Sequence, residues 1–156
     1  MLRVIIAAAV AAVLGASGAQ ANVSDFKVKD EIAGTEVRYV TLKSSHYQSI
    51  TNEDEITFRC EPYKGVGIIL IEWHRGGRHS GYMIEDLIYK VDDEPPVEFN
   101  VVTGSAAQII GDFSRGSRAV IKPLYERAVT VVPTVSFSLR GSAAAFKTFD
   151  GQCALD

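Results

Sequence analysis

Glu55-Ile-Thr-Phe-Arg-Cys60, followed after the turn residues Pro62 to Gly65 by Val66-Gly-Ile-Ile-Leu-Ile-Glu-Trp73, assigns the fold class. The first segment alternates apolar and polar residues, with Ile56, Phe58 and Cys60 on one side, as in a half-buried β-strand that delivers a cysteine to the core. The second is a nearly continuous apolar run of strand length, rich in β-branched residues, and is expected to be a central strand.

The same signals recur in both directions. Thr35 to Leu42 carries Val37, Tyr39 and Val40 and reads as a strand, while Asn22 to Asp30 is polar and is expected to pack loosely. Lys43 to Glu55 reads as a loop. Ile84 to Val91 sets Leu87, Tyr89 and Val91 on one face. Asp92-Asp-Glu-Pro-Pro96 then turns the chain into a further alternating strand, Val97 to Val101. Ala106 to Gly111 reads as a short strand. Gly116 to Arg127 approaches helical spacing, but Pro123 limits it to a short helix or turn. Val129 to Val132 and Val135 to Leu139 read as strands, and Gly141 to Phe149 as a short terminal helix returning Cys153 to the core. The expected architecture is mainly all-β: an antiparallel β-sandwich of about seven strands, with one or two short helices near the C-terminus.

The chain has 156 residues, enough for one domain. With 16 Lys and Arg against 19 Asp and Glu, it lacks the basic surface that non-specific nucleic-acid binding needs. Its apolar content is concentrated at the start. Met1-Leu-Arg3, the apolar run Val4 to Leu14 and Ala19-Gln-Ala21 read as a cleavable signal peptide over residues 1–21, cut between Ala21 and Asn22. The run is shorter than the roughly 18–20 residues that cross a bilayer, and no other span follows. Residues 22–156 are then a single β-sandwich domain, periplasmic or secreted, with no transmembrane span after cleavage.

Export changes the reading of Cys60 and Cys153, the only two cysteines. In an oxidising compartment they most simply pair, the competing reading being two separate buried thiols. They form neither a CxxC redox motif nor a zinc quartet.

The densest local chemistry is Trp73-His-Arg-Gly-Gly-Arg-His-Ser80, expected to lie in a loop from His74 to Gly81. His74, Arg75, Arg78 and His79, with Tyr82 beside them, are candidate binding residues for an anionic lipid headgroup or acidic glycan, because Arg presents a planar fork of donors. A solvated hairpin tip is the competing reading. Neither the His74/His79 spacing nor Asp92-Asp-Glu94 matches a metal-binding pattern, so no metal or cofactor is expected. No catalytic constellation is visible: there is no Gly-x-Ser-x-Gly elbow, and adjacent carboxylates such as Glu85 and Asp86 diverge on a strand. Phe58, Trp73, Tyr89, Phe99 and Phe137 are expected in the core. Tyr39, Tyr47, Tyr63 and Tyr82 are the better candidates for exposed contacts.

Cys60 closing one strand, Ile71-Glu-Trp73 closing the next, Tyr89-Lys-Val-Asp92 before a hairpin turn, and Phe137-Ser-Leu-Arg-Gly141 with Ala143-Ala144 leading to Cys153 form a recognisable order. From Thr57 to Cys153 this order resembles the accessory periplasmic proteins of type VI secretion systems, the VasI/TagO type, and more distantly the IalB invasion-associated proteins. Phe99 stands where that pattern has a second Trp. The resemblance implies an exported β-sandwich without enzymatic activity that binds another envelope protein, with the cysteine pair and Trp73 as core elements. Other readings are a small periplasmic inhibitor or immunity-type protein, of the kind a prophage encodes, and an anion or lipid binder using His74 to Gly81. A hydrolase ranks last.

Overall fold

A computed structural model describes residues 22–29, 34–44, 54–63, 66–75, 78–82, 84–124 and 134–153. Two antiparallel sheets face each other. The first is a five-stranded meander in the order β1 (Val23–Lys29), β2 (Glu36–Lys43), β3 (Asp54–Tyr63), β4 (Val66–Arg75) and β5 (Arg78–Tyr82). The second has four strands in the order β7 (Val97–Asn100), β6 (Asp86–Val91), β8 (Arg118–Leu124) and β9 (Val135–Ser138). A bridge between Ser44, at the end of β2, and Phe137 of β9 joins the sheets at one corner. No helix among the described residues is long and apolar enough to cross a membrane.

The antiparallel sandwich and its short helices agree with the sequence reading, but the described residues contain nine strands rather than about seven. Four segments differ. The polar stretch expected to pack loosely is β1, which pairs with β2 along its whole length. Backbone pairing holds this strand although its apolar residues, Phe26 and Val28, face away from the core. Ala106–Arg115 is helix α1 rather than a strand, because Ile109, Ile110 and Phe113 fall on one helical face and are buried. Arg118–Leu124 is a strand rather than a helix or turn. Pro123 stands opposite Leu87 of β6, two residues past Ile121, where the pairing of β8 with β9 ends. The fourth, the expected loop at His74, is described with the site. The expected strand Val129 to Val132 lies outside the described residues.

The core follows the alternation. Ile56, Phe58 and Cys60 of β3 are fully buried, as are Leu87 and Tyr89 of β6. Trp73 stands edge-on to Phe137, ring centres 5.6 Å apart, and so ties the two sheets together. Phe58 meets Phe113 of α1 at 5.9 Å and Phe146 of α2 (Ser142–Phe146) at 5.0 Å, both edge-on. The five aromatic residues expected inside are all there. Phe113, Phe146 and Phe149 complete the set from the helical segments.

After α2, a 3₁₀ turn at Lys147–Phe149 brings the chain back to the first sheet, where Cys153 is bonded to Cys60. Arg38 donates a hydrogen bond to the carbonyl of Thr148, and Gln152 donates to the carbonyl of Glu36. Gly67 lies directly beneath this return, and a Cβ there would stand 2.4 Å from Cys153 Cα. That glycine lets the C-terminal segment pass close over β4.

Candidate functional site

The inner face of the five-stranded sheet is covered by the core, but its outer face is open. Register places Phe26, Tyr39, Arg59 and Leu70 in one row across β1 to β4. Val28 and Val37 lie opposite each other on the same face. Glu61 and Ile68 form another opposed pair. Ser24, Thr41, Thr57 and Glu72 make the row on the other side of Phe26.

This face collects apolar surface in water. Six large apolar residues are exposed among the described residues, and four of them lie here: Phe26 (49% exposed), Val28 (48%), Ile68 and Leu70. Phe26 stacks flat on Tyr39, ring centres 4.7 Å apart and planes within 5°. The continuous apolar run of β4 therefore has a different cause from the one expected. Ile69, Ile71 and Trp73 face the core, whereas Ile68 and Leu70 face out.

Arg59 and Glu61 of β3 stand between the apolar residues of β1 and β2 (Phe26, Val28, Val37, Tyr39) and those of β4 (Ile68, Leu70). The Arg59 guanidinium nitrogens lie 3.5 Å from Glu61 and 3.5 Å from Glu72. His74 Nε2 lies 3.5 Å from Glu72, and Lys43 pairs with Glu55 at 3.4 Å. Thr41 and Thr57 share a hydroxyl hydrogen bond of 3.0 Å. Two shallow depressions, of about 290 and 410 Å³, lie on either side of the Tyr39–Arg59 pair. Aromatic and arginine side chains are enriched at the centres of protein-binding surfaces in general.

The described residues of the basic segment from His74 to Gly81 are strand and not loop. Strand β4 continues through Arg75 and β5 begins at Arg78, with Arg75 opposite Arg78 and Trp73 opposite Tyr82 across a bulge. Strand β4 stays paired with β3 through these residues, Glu55 opposite His74 and Asp54 opposite Arg75. His74 joins the outer face beside Glu72. The side chains of Arg75, Arg78, His79 and Tyr82 lie outside the described residues, as do that of Tyr63 and the whole of Tyr47.

A second concavity, of about 780 Å³, opens where the β6–β7 turn meets the end of α1. Its inner carboxylates already serve the fold. Asp112 accepts the Tyr89 hydroxyl at 2.6 Å and Arg115 at 2.5 Å. Burial, followed by the hydrogen bond and charge of Asp112, pushes the Tyr89 phenol well above its ordinary pKa. Asp92 accepts three bonds, from the Ser117 hydroxyl and from the backbone N–H groups of Ser117 and Arg118. These hold its carboxyl below the usual range, the hydroxyl contributing most. Asp92 thus clamps the start of β8. Among the described residues, no group of three or more His, Cys, Asp and Glu side chains is placed to hold a metal ion.

No family model, curated protein or solved structure matches the chain.

Proposed function

We propose that this chain is an exported, non-enzymatic binding protein that engages another envelope protein through the outer face of its five-stranded sheet. The observation that carries this reading is the concentration of exposed Phe26, Val28, Ile68 and Leu70 beside Arg59 on one continuous face. Exposed apolar side chains gathered on one face of a small domain mark a contact site, and a protein partner suits two aromatic and aliphatic patches with an ion-paired arginine between them. Export is supported by the leader pattern over residues 1–21 and by the Cys60–Cys153 bond, which belongs in an oxidising compartment. Cleavage before Asn22 leaves β1 as the first element of the mature protein. The resemblance from Thr57 to Cys153 supports an accessory role beside a secretion apparatus.

The test uses the disulfide-bonded protein, purified from the periplasm, as bait in envelope extract. A stoichiometric partner is expected that is lost with Leu70→Asp or Arg59→Ala and retained with Val102→Asp, an exposed change away from this face. Absence of any such partner, or equal capture by all three variants, overturns the reading.

A further inference from the structure

The five-stranded meander has β1 at one end, and among the described residues nothing pairs with the far side of that strand. An edge strand presents every second N–H and C=O to whatever lies beside it. Val23-Ser-Asp-Phe-Lys-Val-Lys29 is seven residues long, and all of it from Ser24 onward is exposed. Charged residues on an edge commonly repel an added strand. Here they have both signs, and their order admits one particular partner.

We propose that β1 pairs antiparallel with β1 of a second copy of this chain, about a two-fold axis through Phe26. That axis sets Asp25 opposite Lys27 of the second copy, and Lys27 opposite its Asp25. On the outer face it sets Phe26 opposite Phe26, and Ser24 opposite Val28 in both directions. All seven residues of the strand are paired.

The charges select this register. A shift by one residue would place the outer face of one copy beside the inner face of the other and is excluded by the symmetry. Centring the axis on Asp25 would set two carboxylates face to face, and centring it on Lys27 would do the same with two ammonium groups. Each would shorten the pairing and place like charges opposite, which is destabilising. Only the Phe26-centred register is both fully paired and free of facing like charges.

The surroundings accommodate it. On the inner side of β1, a groove of about 430 Å³ lies between the strand and the 3₁₀ turn, lined by Asp25, Lys27, Glu36, Arg38 and Thr148. It gives the ion-paired side chains of both copies room. Lys27 already reaches Glu36 at 3.1 Å, and the dimer adds a second carboxylate to it. On the outer side, the Phe26–Tyr39 stack would continue across the axis into its symmetry mate, forming a row of four rings. The product is one ten-stranded sheet with a doubled outer face. Pairing uses the strand edge and leaves the face around Leu70 and Arg59 open.

Sedimentation equilibrium of the periplasmically purified protein at concentrations up to about 100 μM is expected to show the mass doubling. Asp25→Lys and Lys27→Asp should each shift the dissociation constant upward by tenfold or more, and the double exchange Asp25→Lys/Lys27→Asp should restore it. Because no cysteine is free among the described residues, Phe26→Cys introduces a single reporter thiol. It should form a disulfide-linked dimer on mild oxidation, whereas Asp25→Cys and Lys27→Cys should cross-link to each other in mixtures rather than to themselves. Circular dichroism checks that each variant is folded. A monomer at every concentration, or single charge variants that dimerise like the parent, overturns the proposal whatever the envelope pull-down shows. A monomer whose β1 instead takes up a foreign strand is one such outcome.

Discussion

The carbonyl oxygen of Gln152 lies where a side chain on Gly67 would need to be: a Cβ at that position would stand 2.1 Å from it. The contact is backbone on one side, so no rotamer change can relieve it. Gly67→Ala should force the C-terminal return off β4 and destabilise the fold by about 1–3 kcal/mol, as overpacking does. Chemical denaturation of the oxidised protein measures this. Gly34→Ala, with nothing within 4 Å but a φ of +69°, tests backbone strain without the clash.

The Cys60–Cys153 bond closes a sequence separation of 93 residues. In the chain-entropy model a loop of that length contributes about 4–5 kcal/mol. The Cys60→Ala/Cys153→Ala protein should lose most of this, seen as a lower urea midpoint than the oxidised parent. Equal midpoints would show that the packing of Phe146 and Phe149 holds the C-terminal return without the bond.

Phe58 touches rings on both α1 and α2 and is fully buried. Phe58→Ala should cost about 3–5 kcal/mol, as large-to-small changes of a core ring do. Phe26→Ala removes a ring that is half exposed and should change stability far less. Thermal melts of the two variants separate core from surface aromatics.

Tyr89 donates to Asp112 from a buried position. Tyr89→Phe removes that hydrogen bond while Arg115 still holds Asp112, so a loss of about 1 kcal/mol is expected. The phenol's pKa is raised in the folded state, so its contribution is complete below the ordinary tyrosine value near 10 and disappears as pH rises above it. Alkaline unfolding should therefore begin at higher pH in Tyr89→Phe, relative to its own neutral stability. Tyrosinate absorbance should show one slow phenol in the parent that the variant lacks.

Asp92 shows the opposite sign. Its carboxyl is depressed by the hydrogen bonds from Ser117 and Arg118, so it stabilises the fold above the ordinary carboxylate range and ceases to do so as pH falls through its lowered value. Asp92→Ala should lower the melting temperature at neutral pH, and the difference from the parent should shrink as pH falls below the ordinary carboxylate range. A difference that stayed constant down the acid limb would contradict the clamp.

Strand alternation made much of the sandwich legible in the residues alone. Ile56-x-Phe58-x-Cys60 and Leu87-x-Tyr89-x-Val91 could be assigned to buried faces because a period of two has one structural meaning. The hairpin at Asp92 to Pro96 followed from turn chemistry, and the pairing of Cys60 with Cys153 from compartment and number. Local pattern misled where a partner strand or a longer window mattered. Polar β1 is a strand because β2 offers it a ladder, and His74 and Arg75 are strand because β3 pairs with them to its first residue. Ile109, Ile110 and Phe113 form a helical face visible only beyond Gly111.

The candidate site shows the same division more sharply. Ile68, Ile69, Leu70 and Ile71 are a single apolar run in sequence, with nothing local to separate those that fill the core from those that meet water. Their separation depends on which face of β4 the second sheet covers, a property of chain segments far away in sequence. The gathering of Phe26, Tyr39, Arg59 and Leu70 into one row likewise depends on register across four strands. Side-chain alternation is local, so the residues alone determine it. Coverage and register are long-range, so the folded sandwich decides them.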